Sequence, residues 1–95
     1  MGQRKHPALH LSEIVEILAA LGFKKKRTVG SHAQWERLAD HNRKGSIVTV
    51  DEAIDTFDEF LIKSMIRQSG STREEIYGAC KRSAKRAGVA HFGVA

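Results

Sequence analysis

Between two stretches of helical periodicity, residues 23–50 switch to a period of two and are cut by two tight, polar connections. This switch constrains the fold more than any other feature. Successive strand residues point to opposite faces, whereas a helix face recurs every three to four residues. Residues 32–38 (HAQWERL) alternate, with Ala33, Trp35 and Arg37 on one face and His32, Gln34 and Glu36 on the other. Residues 46–50 (SIVTV) are β-branched and read as a strand. Residues 23–29 (FKKKRTV) are too charged to bury on both faces. They read as an edge strand whose lysines discourage unwanted pairing. Val29-Gly30-Ser31 supplies a tight turn, and the polar run 40–45 (DHNRKG) supplies a hairpin loop. Three strands joined this way form an antiparallel meander.

The flanks are helical. Ile14, Ile17, Leu18 and Leu21 share one helix face, with Ser12 as the expected N-cap and Gly22 as the left-handed stop. Thr56 with Glu59 reads as a capping box opening a second helix. Phe57, Phe60, Leu61 and Met65 mark its buried side, Ile62 and Ile66 widen the stripe, and Gly70 ends it. Thr72 with Glu75 repeats the box and opens a third helix through Ile76, Tyr77, Cys80 and Ala84. Lys81, Arg82, Lys85 and Arg86 lie toward its far end, where cations suit the helix dipole, and Gly88 stops it. The expected architecture is α+β, in the order α-β-β-β-α-α, with a three-stranded antiparallel sheet covered by helices on one face. Residues 1–10 read as a flexible leader, 11–88 as a single domain and 89–95 as a mobile tail.

At 95 residues the chain has room for one domain, which excludes a multi-domain enzyme or a repeat array. No apolar stretch approaches a membrane span, and no secretory signal opens the chain. The single cysteine, Cys80, excludes an internal disulfide and a cysteine-based zinc site, and points to a reducing, cytoplasmic setting. No His/Cys/carboxylate group has metal-ligand spacing, so neither a metal nor any other cofactor is expected. The net charge of +5 is concentrated in residues 1–50, which hold nine Lys/Arg against four Asp/Glu. A basic half suggests an anionic partner, of which nucleic acid is the commonest.

Gly30-Ser31-His32 is the triplet with the most chemistry. Histidine exchanges protons near neutrality. Here it follows a turn and four cations (Lys24, Lys25, Lys26, Arg27), and parity sends it to the face the core does not need. RNA cleavage needs a base for the 2′-hydroxyl and cations for the charge that grows on phosphorus. A lone histidine on a strand is more often plain surface. Ser31 and His32 diverge to opposite faces, so they do not form a nucleophile–base pair. Trp35 reads as a core anchor in preference to a base-stacking platform. The acidic run Asp51, Glu52, Asp55, Asp58 and Glu59 reads as a solvated edge and helix N-terminal charge.

These elements resemble, in order and spacing, the HicA (YcfA-like) mRNA interferase toxins of toxin–antitoxin pairs. The resemblance spans roughly residues 12–77. It is carried by Leu21-Gly22-Phe23, the basic strand, Gly30-Ser31-His32, Trp35, Val48-Thr49-Val50, Gln68-Ser69-Gly70 and Ser71-Thr72-Arg73-Glu74-Glu75. It implies a double-stranded-RNA-binding-domain-like fold. It implies metal-independent endoribonuclease cleavage of mRNA centred on His32, with a HicB-type antitoxin as partner. Under it Lys24, Lys26, Arg27, Gly30 and Ser31 are the expected RNA contacts. Two departures stand out: Ala33 follows the histidine where many relatives have a polar or aromatic residue, and Asp51-Glu52-Ala53 replaces a proline and a histidine. Acids beside an RNA site would oppose the phosphates. The alternatives are a non-catalytic RNA-binding module on the same fold, and an interaction protein whose basic face meets an acidic partner.

Overall fold

The computed structural model describes residues 5–92. In chain order the elements are β1 (Leu9–His10), α1 (Leu11–Ala20), β2 (Lys24–Val29), β3 (His32–Arg37), β4 (Ser46–Asp51), β5 (Thr56–Phe57), α2 (Glu59–Ser69), α3 (Arg73–Gly78) and α4 (Lys81–Ala87). β2, β3 and β4 form the expected antiparallel meander in that spatial order. Gly30 takes φ +60° at the first central position of the two-residue hairpin, a conformation that suits glycine. Gly22, at φ +91°, ends α1. Its N–H donates to the Ala19 carbonyl and that of Phe23 to the Leu18 carbonyl, so two otherwise unpaired helix carbonyls are satisfied.

The alternation holds. Ala33, Trp35, Val48 and Val50 are buried in one cluster with Ile14, Ile17 and Leu18 of α1, Ile62 and Met65 of α2, and Ile76, Tyr77 and Cys80 beyond. One sheet face is therefore core, and the parity of His32, Gln34 and Glu36 assigns them to the other. β2 departs from strict alternation. Lys24 pairs with Glu36, Lys25 with Trp35 and Arg27 with Gln34, which leaves Lys26 as an inserted residue. Such a bulge resets parity. It places Lys24 and Arg27 on the face of His32, where an unbroken strand would split them.

Five features differ from the sequence expectation. The leader is not free over residues 5–10. Leu9 is fully buried and pairs with Phe57, His10 pairs with Thr56, and the Tyr77 hydroxyl donates to the Pro7 carbonyl at 2.7 Å. These partners lie some fifty to seventy positions away, so no local period announces them; residues 1–4 of the leader lie outside the described residues. His10, not Ser12, is the N-cap of α1, and its N–H donates to Glu13. Thr56 is drawn into β5, so α2 is capped instead by Asp58, whose carboxylate accepts from the Leu61 N–H. This shift leaves Phe57 buried ahead of the helix and Phe60 76% exposed.

The third expected helix is broken in two at Ala79-Cys80, where Cys80 adopts extended backbone. The Ser83 hydroxyl lies 2.7 Å from the Tyr77 carbonyl and 3.0 Å from that of Cys80, satisfying the end of α3. Lys81 and Arg82 consequently open α4 and only Lys85 and Arg86 sit in its last turn. The expected mobile tail is engaged over its described part: the Phe92 N–H donates to the Gly78 carbonyl at 3.0 Å. A Cβ on Gly78 would fall 2.6 Å from the Ala90 carbonyl oxygen, so only glycine admits this close crossing. Residues 93–95 lie outside the described set.

Tyr77 ties the leader to the core. Tyr77→Phe leaves the Pro7 carbonyl without this donor and is expected to cost about 1–2 kcal/mol, read as a lower urea midpoint at unchanged slope.

Candidate functional site

His32 opens β3 directly after the Gly30-Ser31 turn. It is flanked in register by Val29 on β2 and Asp51 on β4. Its side chain is 62% exposed, and Nε2 lies 3.8 Å from Asp51 Oδ2. The Asp51 carboxylate is fixed independently of the histidine: Oδ1 accepts the Ala53 N–H at 3.0 Å. That bond, the Ser31 hydroxyl and the neighbouring His32 hold the carboxyl below the usual carboxylate range, outweighing desolvation. Ser31 and His32 thus converge on the Asp51 carboxylate, against the expected divergence to opposite faces, because Ser31 lies in the turn ahead of β3 and strand parity does not govern it.

Glu52, the second acid that replaces the relatives' residues, is neutralised where it stands. Its carboxylate accepts from Lys25 Nζ at 2.9 Å, and its N–H donates to the Ser31 carbonyl at 2.7 Å. Of the expected phosphate contacts, Lys26 reaches Glu36 at 3.6 Å, a solvent-exposed pair of little strength. Lys24 and Arg27 have no acidic partner among the described residues, and both are exposed. Arg27, opposite Gln34, stands about 7 Å along the sheet from His32, and Lys24, opposite Glu36, about 13 Å. The structure therefore brings His32, Arg27 and Lys24 to one face, with Gly30 and Ser31 at its upper turn. Trp35 is 7% exposed and faces the core, so it is not a stacking platform.

A cleft of about 150 Å³ adjoins His32 between β4 and α2, with Asp51, Thr49, Leu61, Ser64 and Gln68 among its lining residues. Gln68 holds its wall in place: Oε1 accepts the Thr49 N–H at 3.0 Å and Nε2 donates to Ser64 Oγ at 3.2 Å. No sequence signal marked Ser64 or Gln68 as lining a cleft, because their position depends on how α2 docks beside the edge of β4. A larger groove of about 560 Å³ passes Lys24, Arg37 and Arg43 at the other end of the meander and does not reach His32. Among the described residues no three His, Cys, Asp or Glu side chains are placed to hold a metal ion. No described helix is long and apolar enough to cross a membrane.

No curated protein and no solved structure matches the chain significantly. The family model described as the HicA toxin of bacterial toxin–antitoxin systems matches residues 11–71.

Proposed function

The chain belongs to the HicA toxin family of bacterial toxin–antitoxin systems, and from that membership and the site geometry we propose that it is an endoribonuclease acting on mRNA with His32 as its acid/base. Membership implies an antitoxin partner, which we take to be of the HicB type, covering the His32 face. The observation that carries the reading is the exposure of His32 on the sheet face opposite the core, in line with two unpaired cations.

On this reading the imidazole removes the proton of a ribose 2′-hydroxyl, and that oxygen attacks the adjacent phosphorus. The bond to the 5′-oxygen breaks, leaving a 2′,3′-cyclic phosphate, and the departing oxygen takes back a proton. Arg27 lies close enough along the sheet to meet a neighbouring phosphate, and Lys24 the one beyond. Asp51 faces the imidazolium formed at the first step and stabilises it, while Lys25 removes the repulsion that Glu52 would exert.

The test is incubation with a long single-stranded RNA in EDTA, with the product ends identified. Fragments carrying 5′-hydroxyl and cyclic-phosphate ends support the proposal. Intact RNA, recovered from a protein that binds it in a salt-sensitive way, would replace catalysis with simple RNA binding. Neutralising one phosphate contact by Arg27→Ala is expected to weaken binding across all sequences. It should also reduce the slope of log K against log salt by about 0.7.

A further inference from the structure

We infer that the cleft between β4 and α2 is a subsite for one single-ring nucleobase carrying an amino group, cytosine, next to the phosphate cleaved at His32; the inference rests on the ribonuclease reading above. His32 and Asp51 both line this cleft, so a nucleotide whose phosphate meets His32 has a concavity within reach of its base. The basic face of β2 lies on the other side of His32 in the sheet order and is exposed along its whole length. A backbone laid along it leaves the cleft for the base.

Size and lining narrow the occupant. A cavity of about 150 Å³ holds one benzene-sized ring, so the cleft suits a single-ring base. Ile54, Leu61 and Met65 give apolar walls for the ring faces. Polar groups are few and fixed, as base recognition requires. Asp51 offers a carboxylate, anchored by the Ala53 N–H, which accepts and cannot donate when ionised. Gln68 has its amide orientation set by the Thr49 N–H, and one of its two Nε2 hydrogens is used on Ser64. The second Nε2 hydrogen and the Ser64 hydroxyl hydrogen remain as donors. An acceptor beside two donors matches the cytosine edge, which presents an amino group beside a ring nitrogen and a carbonyl. Uracil offers a carbonyl where Asp51 demands a donor. The acid that seemed to oppose RNA thereby becomes the group that selects the base.

Two measurements test this. In the first, the isotopically labelled protein is titrated with cytidine 3′-monophosphate and, separately, with adenosine 3′-monophosphate, and backbone amide shifts are followed. Cytidine is expected to move Thr49, Ser64 and Gln68 together with His32 and Asp51; adenosine should move only His32, Asp51 and their immediate neighbours. Equal shifts from both nucleotides, or no response from the cleft amides, overturns the inference. In the second, RNAs with a single cytidine or adenosine before the scissile bond are compared. The cytidine RNA is expected to be cut about tenfold faster or more, and Ser64→Leu, which fills the cleft, should bring that ratio close to one. Cleavage without base preference overturns the subsite and leaves the ribonuclease reading intact. Cytidine-specific shifts in a protein that cuts no RNA would uphold the pocket and overturn the ribonuclease reading.

Discussion

His32→Ala is expected to slow RNA cleavage by at least about a hundredfold, the lower end of what a positioned acid/base contributes. It should leave the fold as stable as before, within about 0.5 kcal/mol. The two halves of this prediction come from the same geometry. The side chain is 62% exposed on the face opposite the core, and its one ion pair, with Asp51, spans 3.8 Å in solvent. Exposed pairs of this kind add little to stability. Asp51 does not depend on the histidine for its position, because the Ala53 N–H and Ser31 hydroxyl remain when the ring is removed. Initial cleavage rates and urea midpoints, measured on the same preparations, check both halves. A folded mutant that cuts as fast as wild type would overturn the assignment of His32.

Much of the geometry around His32 is legible in the sequence. Period two across residues 32–38 and the burial preference of Trp35 together force His32 to the open face, since a strand offers only two. The run of cations ahead of it was equally visible. Strand parity alone, however, misplaces them. The bulge at Lys26 is a property of the β2–β3 pairing, and without it Lys24 and Arg27 would face opposite ways. The cleft was invisible for a related reason: Ser64 and Gln68 line it because α2 lies beside the edge of β4, a choice made by tertiary packing. Thr56 shows the same override in miniature. It satisfies the local rule for a helix cap, yet its backbone is worth more paired with His10 across β5, and Asp58 takes over the cap. Local rules held at Gly22 and at Thr72 with Glu75, where no distant strand pairs with the same backbone.

The second large effect lies away from the site, at the junction of α4 with α1. Glu13 is 1% exposed in the first turn of α1, and its Oε1 accepts from Arg86 at 2.6 Å and from the His10 N–H at 3.0 Å. Its other oxygen is buried without a partner. Burial pushes this carboxyl upward, but the Arg86 hydrogen bond, the His10 N–H and the charges of Arg86 and Arg82 outweigh it, so the net shift is downward. A lowered carboxyl adds stability above its unfolded titration range, and that stability is lost as pH falls through its folded one. Arg86→Ala leaves the burial and removes the largest compensation. It is expected to cost about 2–4 kcal/mol at pH 7, below the full value for a broken buried pair because Arg86 is itself 40% exposed and water can enter. Without Arg86 the burial is opposed only by the His10 N–H and the Arg82 charge, so the downward shift of the carboxyl, and with it the loss of stability on acidification, should shrink. The gap between variant and wild type should therefore narrow as pH falls toward about 4. Adding Glu13→Gln to Arg86→Ala should recover part of the loss at pH 7, because the buried anion is gone while an oxygen for the His10 N–H remains. Urea unfolding of the four proteins at pH 7 and pH 4.5 completes the cycle. A loss from Arg86→Ala that is the same at both pH values would show that the guanidinium acts through packing on α1 and the Ala8 carbonyl, not through the buried charge.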